Sequence, residues 1–162
     1  MRRRSPRLRP RIALAASAAL MLSLVGCGAT IPTDPEGTLD RVRGGDLRVG
    51  VSMDPGLASE VGGVPEGPLV DLVDDFAESI DADTDWTIAG EETLVGLLES
   101  GDLDLAVGGF SESTPWIDRA GISRGYTRID GADGRSIVML VPLGENAFLS
   151  ELEIFLDEEV GG

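Results

Sequence analysis

Short strand-like segments alternate with longer segments of helical apolar period along this sequence, and this order constrains the fold more than any single motif. Residues 47–51, Leu-Arg-Val-Gly-Val, predict a first strand. Pro68 suits the first turn of a helix, and residues 86–88 predict the next strand. The helix between them carries one apolar stripe, formed by Leu69, Leu72, Val73, Phe76 and Ile80. A strand, a helix and a strand in this order predict two parallel strands joined by a helical crossover.

Three further segments complete this half of the chain. A second helix ends near Gly101 and precedes a third strand at residues 103–107; its apolar positions are Leu94, Leu97 and Leu98. Thr38 is predicted to cap a short helix that runs to Arg43. Residues 54–67 are rich in glycine and proline, which predicts a loop.

The alternation resumes near the end of the chain. After an irregular stretch, residues 136–141 predict a fourth strand, which Pro142 ends. A last helix begins at Asn146, with apolar positions at Phe148, Leu152, Phe155 and Leu156. The whole order predicts an α/β domain with a mostly parallel sheet flanked by helices.

The first 26 residues have the layout of a secretion signal. Six arginines among residues 2–11 precede an apolar stretch at residues 12–25. A helix that spans a bilayer needs roughly 20 apolar residues, so this stretch is too short to favour a permanent membrane span. We therefore expect residues 1–26 to be removed from the mature protein.

The end of this signal, Leu24-Val25-Gly26-Cys27, resembles the lipobox of bacterial lipoproteins. In that family the cysteine becomes the first mature residue and carries lipid, which implies lipidation of Cys27. Residues 27–37 are then expected to form a flexible tether, and residues 38–160 a single domain. This organisation predicts a protein anchored by lipid on the extracytoplasmic face of the cell membrane. The alternative is ordinary secretion with a buried or free thiol at this single cysteine.

Composition excludes several classes of function. Beyond the signal the chain has seven arginines against 29 acidic residues, and such a surface repels nucleic acid. The absence of histidine excludes a Ser-His-Asp triad. Four acids have the spacing of a calcium loop (Asp81, Asp83, Asp85 and Glu92), but Trp86 stands where that loop needs glycine. We therefore predict no catalytic residue, no metal and no cofactor.

The mature sequence resembles the family 3 solute-binding proteins, which are the amino-acid receptors of ABC importers. The resemblance runs from about Thr38 to Tyr126 and resumes in the closing strand and helix. Its carriers are residues 47–51, 67–73 and 103–109, the Thr114-Pro115 pair and residues 123–126. It implies an extracytoplasmic solute receptor that serves a membrane transporter.

Departures from the family pattern are also informative. The family has two lobes with the ligand between them, and two lobes need roughly 200 residues. Only about ten residues separate Tyr126 from the closing strand, so a single lobe is expected. The aromatic residue that the family places after the first strand is replaced by Asp54-Pro55-Gly56. Trp116 follows Thr-Pro where the family soon has a carboxylate-binding arginine, and Arg119 comes later.

Ligands of open parallel sheets bind beyond the carboxyl ends of the strands, which brings residues 52–55 and 108–116 to one rim. We call these two loops the carboxyl rim. Gly109 would let a ligand approach the backbone closely, hydroxyl groups could form hydrogen bonds, and Trp116 offers a flat apolar face. The candidate ligand-binding residues are Asp54, Gly109, Phe110, Ser111, Thr114, Trp116 and Arg119. Alternatively, Gly108 and Gly109 form a tight turn, and Trp116 packs in the core or caps the rim.

Three functions fit these observations. The first is a lipid-anchored module that binds a small polar, amino-acid-like solute and serves a transporter. The second is a regulatory or interaction lipoprotein that no longer binds solute and contacts a transporter or antiporter subunit. The third is a cell-envelope enzyme, because some wall-cleaving enzymes carry a related lobe. This chain has no room for their catalytic domain, so we expect no enzyme.

Overall fold

The structure, a computed structural model, describes residues 32–161. The predicted signal peptide, Cys27 and residues 28–31 of the predicted tether lie outside the described residues. The helices are α1 Thr38–Val42, α2 Pro68–Ser79, α3 Glu91–Ser100 and α4 Asn146–Glu159. The strands are β1 Asp46–Val51, β2 Ser59–Val61, β3 Val64–Glu66, β4 Asp83–Ile88, β5 Leu105–Val107, β6 Ala120–Ile122 and β7 Leu140–Pro142. Within residues 32–161, none of the helices has the length and apolar character needed to cross a membrane.

Five strands form one mixed sheet in the order β4-β1-β5-β7-β6. Strand β1 pairs in parallel with β4, where Val49 lies beside Trp86, and with β5, where Val49 lies beside Leu105. Strand β7 is antiparallel to both of its neighbours, β5 and β6. Four of the five strands therefore point the same way, and the predicted α/β fold with a mostly parallel sheet is confirmed.

The two faces of the sheet bury two separate apolar clusters. Side chains that alternate along β1, Leu47, Val49 and Val51, join the larger cluster with α1, α2 and α4. The other face packs against α3. Gly50 points to this second face, where a Cβ atom would lie 2.5 Å from the Leu94 side chain. Helices thus cover both faces, as the crossovers of parallel strands require.

Helix ends lie where the local sequence places them. Pro68 is the first residue of α2. Proline suits this position because a backbone N–H there would have no hydrogen-bond partner inside the helix. Gly101 ends α3 in a left-handed conformation with φ of 75°. These two residues limit the crossover helices, and the sequence signals for both are confirmed.

Other local predictions were wrong. The predicted loop at residues 54–67 contains the β2–β3 hairpin, which the short, exposed segments on either side of Gly62-Gly63 did not reveal. Strand β6 lies in the stretch predicted to be irregular. Strand β7 is shorter than predicted, with Ile137 forming only isolated bridges. Thr38 does not cap α1: it is the first residue of the helix, and Gly37 at the cap position has no side chain to serve that role.

The described part of the predicted tether contacts the domain through two acidic side chains. Asp34 accepts hydrogen bonds from the backbone N–H groups of Leu39, Ala147 and Phe148, at 2.6 to 3.1 Å. The buried Glu145 accepts hydrogen bonds from the N–H groups of Glu36 and Thr38. Asp34 therefore satisfies free N–H groups at the starts of both α1 and α4, and Glu145 does so at the start of α1.

Candidate functional site

The carboxyl rim lies at the point where the chain changes direction across the sheet. The chain passes from β1 to β4 on one side and then to β5 on the other, and such switch points form the ligand crevices of α/β proteins. The two loops begin side by side, because Ser52 N–H donates to the carbonyl of Val107, the last residue of β5, at 3.0 Å. A Cβ atom on Gly108, whose φ is 152°, would overlap the Ser52 hydroxyl.

Asp54 contributes a carboxylate to this rim. Its carbonyl accepts hydrogen bonds from Leu57 and Ala58, which holds the turn that carries it. Its carboxylate lies against the backbone of Gly109, where a Cβ atom would overlap Oδ2. The structure thus brings together two of the predicted site residues. The Asp54 side chain is 21% exposed, so it lies at the surface of the crevice.

Arg135 forms an ion pair with the Asp54 carboxylate. Its Nη1 donates to Oδ2 at 3.0 Å and its Nη2 to Oδ1 at 2.8 Å, which is a two-bond, planar ion pair. Its Nε donates to the Ala132 carbonyl at 3.1 Å. The hydrogen bond to Asp54 raises the pKa of the guanidinium above its ordinary value. The rim carboxylate is therefore paired with an arginine from a distant loop.

That loop, residues 127–135, follows Tyr126 and packs onto the rim. Ile129 and Ala132 are buried beneath it. Gly131 has a φ of 79° and approaches Gly56 so closely that a Cβ atom would overlap the Gly56 carbonyl. The short segment that the sequence places where the family has a second lobe therefore covers part of the crevice.

The hydroxyl residues of the rim lie close together in sequence and differ in exposure. Ser111 is exposed, and its Oγ lies 3.1 Å from Ser113 Oγ. Thr114 N–H donates to the Ser111 carbonyl, which closes a turn. The Thr114 hydroxyl is buried and has no hydrogen-bond partner among residues 32–161. Ser111 and Ser113 thus carry hydroxyl groups that face solvent at this edge.

Phe110 and Trp116 belong to the apolar cluster beneath α3. Phe110 is 2% exposed and packs in that cluster, and Trp116 packs against it from the outside. The Trp116 Nε1 atom is buried without a partner among the described residues. The position of Trp116 matches the alternative in which it packs in the core. Phe110, predicted only as a ligand-binding residue, is buried in the same cluster.

Arg119 lies away from Asp54. It forms an ion pair with Glu99 at the end of α3, and its guanidinium carbon lies 5.3 Å from the centre of the Trp116 ring. It lines a cleft of about 650 Å³ at the amino edge of the parallel strands, together with Arg48 and Asp104. The structure therefore brings Arg119 to Trp116 but not to Asp54 and Gly109.

Sequence reasoning missed Arg135, the side chain that completes the rim. No periodic pattern marks it, because it lies 81 positions from its partner Asp54 in an irregular loop. One signal was available: the loop is too short to hold a lobe and has nowhere to pack except on the domain. Within residues 32–161, no group of acids or cysteines is arranged to hold a metal ion.

A scan against protein-family models and a search of curated proteins each found no match to this sequence. Solved structures of amino-acid-binding proteins do match. The arginine-bound form of domain 1 from TmArgBP has a TM-score of 0.61 at 21% identity, over 70% of this chain and 92% of that chain. An arginine-specific periplasmic binding protein from Salmonella typhimurium has a TM-score of 0.59 at 11% identity, covering 72% and 94% of the two chains.

An ancestral arginine-binding protein bound to arginine has a TM-score of 0.60 at 13% identity, over 73% of this chain and 93% of that chain. These similarities are at the level of the fold. Because one domain of TmArgBP is matched over nine-tenths of its length, a single lobe accounts for the described chain. Residues 32–161 therefore have the fold of one lobe of a periplasmic solute-binding protein, as the resemblance in the sequence predicted.

Proposed function

We propose that this chain is an extracytoplasmic solute-binding module that serves a membrane transporter, with the carboxyl rim as its solute site. The observation that carries the proposal is the Asp54 carboxylate at the switch-point crevice of a single solute-binding lobe. A carboxylate at this place favours a solute with a cationic group. Cationic amino acids are therefore the first solutes to test, because several of the structural neighbours bind arginine.

One open rim leaves much of a small solute in water, whereas good pockets bury most of their ligand. We therefore expect weak binding, with a dissociation constant on the order of 1 mM, rather than the tight binding of an enclosed site.

Calorimetric titration of the full chain, extracted in detergent, tests the proposal against the amino acids and small cations. Binding of a cationic amino acid supports the proposal, whether it is seen in the wild type or in a variant in which Arg135 no longer pairs with Asp54. Asp54→Asn should abolish that binding. Asp40→Asn is the matched control, because Asp40 is an exposed acid on α1, away from the rim. Absence of heat in every protein, together with unchanged uptake after deletion of the gene, would overturn the proposal.

The membrane anchor is a separate part of the proposal. Its support is the sequence before Cys27, the single cysteine of the chain. Mass spectrometry of the native protein should find Cys27 as an acylated N-terminal residue. Cys27→Ser should release the protein from the membrane fraction. An intact leader on the native protein would contradict the anchor and leave the solute site to be judged by calorimetry.

A second candidate function is a regulatory lipoprotein without solute binding, in contact with a transporter or antiporter subunit. Its support is the occupied rim: Arg135 pairs with Asp54, Phe110 is in the core, and Arg119 pairs with Glu99. Co-purification of an identified transporter or antiporter subunit in stoichiometric amount, combined with no solute binding by any variant, would favour this candidate over the first.

A further inference from the structure

We propose that Arg135 is an internal latch on the carboxyl rim, and that a solute whose side chain ends in a guanidinium or ammonium group binds Asp54 only in exchange for it. This inference rests on the proposed function, because it concerns the control of the same site. The solute must replace the Arg135 guanidinium, so its own binding group must be a cation that can donate hydrogen bonds to a carboxylate.

The first argument is the geometry of the pair. The Arg135 guanidinium donates to both Asp54 carboxylate oxygens, at 3.0 and 2.8 Å. A guanidinium fork fits a carboxylate in this two-bond arrangement, so a second guanidinium cannot take the same position. Asp54 is held in place by its own turn and by the backbone of Gly109. Solute and latch therefore compete for one fixed carboxylate.

The second argument is that the latch can open without unfolding its loop. The Arg135 side chain is 43% exposed, and ion pairs at such positions contribute little to stability. The loop itself is held by contacts that do not involve the guanidinium. These are the burial of Ile129 and Ala132 and the close approach of Gly131 to Gly56. Release of Asp54 thus requires only a rotation of the Arg135 side chain, after which water solvates the guanidinium.

The third argument is specificity within the loop. Arg128 lies on the same loop and is exposed, but it forms no ion pair within residues 32–161. Asp133, the neighbouring acid, raises the pKa of Arg135 through its charge but accepts no hydrogen bond from it. The only carboxylate that Arg135 hydrogen-bonds in the described chain is therefore Asp54, and Arg128 offers a matched control of equal charge.

Calorimetry with L-arginine as the probe tests the latch on the full chain. The four proteins are the wild type, Arg135→Gln, Arg128→Gln and the double variant Arg135→Gln with Asp54→Asn. A latch that is closed nine-tenths of the time weakens apparent affinity about tenfold. We therefore expect Arg135→Gln to bind L-arginine about tenfold more tightly than the wild type. Arg128→Gln should match the wild type, the double variant should not bind, and L-glutamine should bind none of them.

The outcomes separate the latch from the proposed function. Equal binding of L-arginine by the wild type and Arg135→Gln overturns the latch and leaves the solute site standing. Equal gains in Arg135→Gln and Arg128→Gln also overturn it, because net charge alone then explains the effect. Absence of binding in every protein overturns the solute site and the latch together.

A second measurement keeps the test valid if Arg135→Gln folds poorly. The arginine Nε–H resonances of the wild type report the hydrogen bond from Arg135 to the Ala132 carbonyl. Addition of L-arginine should shift the Arg135 resonance and leave that of Arg128 unchanged. Binding detected by calorimetry without any shift of the Arg135 resonance would overturn the latch.

Discussion

At the scale of single residues, Asp104 is the most buried of the ion-paired carboxylates in the described part of the chain, and it contacts two arginines. Its side chain is 1% exposed and accepts hydrogen bonds from both Arg41 and Arg48. Burial opposes ionisation of Asp104, but the hydrogen bonds from Arg48 and Arg41 together outweigh it and hold its pKa below the ordinary value. The ion pairs therefore lock the start of β1 to the segment before β5.

Replacement of Asp104 by asparagine should lower the free energy of unfolding by about 2–3 kcal/mol at pH 7, because two partly buried guanidinium groups lose their counter-ion. A lowered folded-state pKa stabilises above the unfolded value of about 4, and this contribution is lost as the pH falls further. Urea unfolding should thus show the wild type and Asp104→Asn converging below about pH 4. The control Asp46→Asn, at an exposed acid of β1, should change little. A constant difference at every pH would contradict the assignment.

Tyr126 provides a second test at this scale, because it is the single tyrosine of the chain. Burial, reinforced by Asp157 and Glu153 and opposed by Arg124, raises its pKa to about 12. Phenolate absorbance should therefore titrate near that value in the folded protein and near 10 in urea. The neutral phenol stabilises the fold below about pH 10, and this contribution is lost as the pH rises through the folded pKa. In Tyr126→Phe, the free energy of unfolding should fall less steeply above about pH 10 than in the wild type. A phenol that titrates near 10 in the folded protein would contradict the burial of Tyr126.

At the scale of elements, irregular segments hold the domain together at both ends of the sheet. Asp34 and Glu145 join the N-terminal segment to the start of α4, and loop 127–135 joins the end of the sheet to the rim. These contacts satisfy backbone groups that the helices and strands leave free.

Asp34→Ala should lower the free energy of unfolding by about 2 kcal/mol, the upper range for loss of a helix cap, because it removes acceptors for N–H groups of both α1 and α4. Asp40→Ala, at an exposed acid of α1, should cost less than about 0.5 kcal/mol. Chemical unfolding measures both. Equal small effects would show that the described end of the tether contributes nothing to the domain.

Two glycines of loop 127–135 allow a matched test of its packing. Gly131 and Gly134 have φ of 79° and 77°, but only Gly131 would bring a Cβ atom into the Gly56 backbone. Gly134→Ala should cost about 1 kcal/mol for its backbone conformation alone. Gly131→Ala should cost at least about 1–3 kcal/mol more, because the loop must move away from the rim. Hydrogen exchange of the loop amides should rise in Gly131→Ala only; equal behaviour would contradict the packing.

At the scale of the whole molecule, negative charges greatly outnumber positive ones. The described residues carry seven arginines and 29 acids, a formal charge of about −22. Six of the arginines form ion pairs, and Arg128 forms none within residues 32–161. Most carboxylates therefore have no cationic partner in the described chain and repel one another across the surface, which destabilises the compact state.

Salt should accordingly stabilise the protein. Raising NaCl from 10 mM to 0.5 M shortens the screening length from about 30 Å to less than 8 Å, and we expect the Tm to rise by about 5 °C. Choline chloride should act equally, since the effect is screening rather than binding of one cation. The rise should shrink near pH 4, where the carboxylates become protonated. Scanning calorimetry checks each of these, and a response to sodium alone would contradict the explanation.

The amino-acid sequence by itself determined the alternation of β1, α2, β4, α3 and β5, the ends of the crossover helices at Pro68 and Gly101, and the single-lobe fold. It did not reveal the β2–β3 hairpin or β6. Apolar period and helix-end residues are local signals, so they survive in a sequence without its structure. Only the tertiary structure decided which side chains meet at the rim: Arg135 on Asp54, with Arg119 at the opposite edge. Such contacts join irregular loops far apart in the chain, and their geometry depends on how the whole sheet is assembled rather than on any repeating pattern.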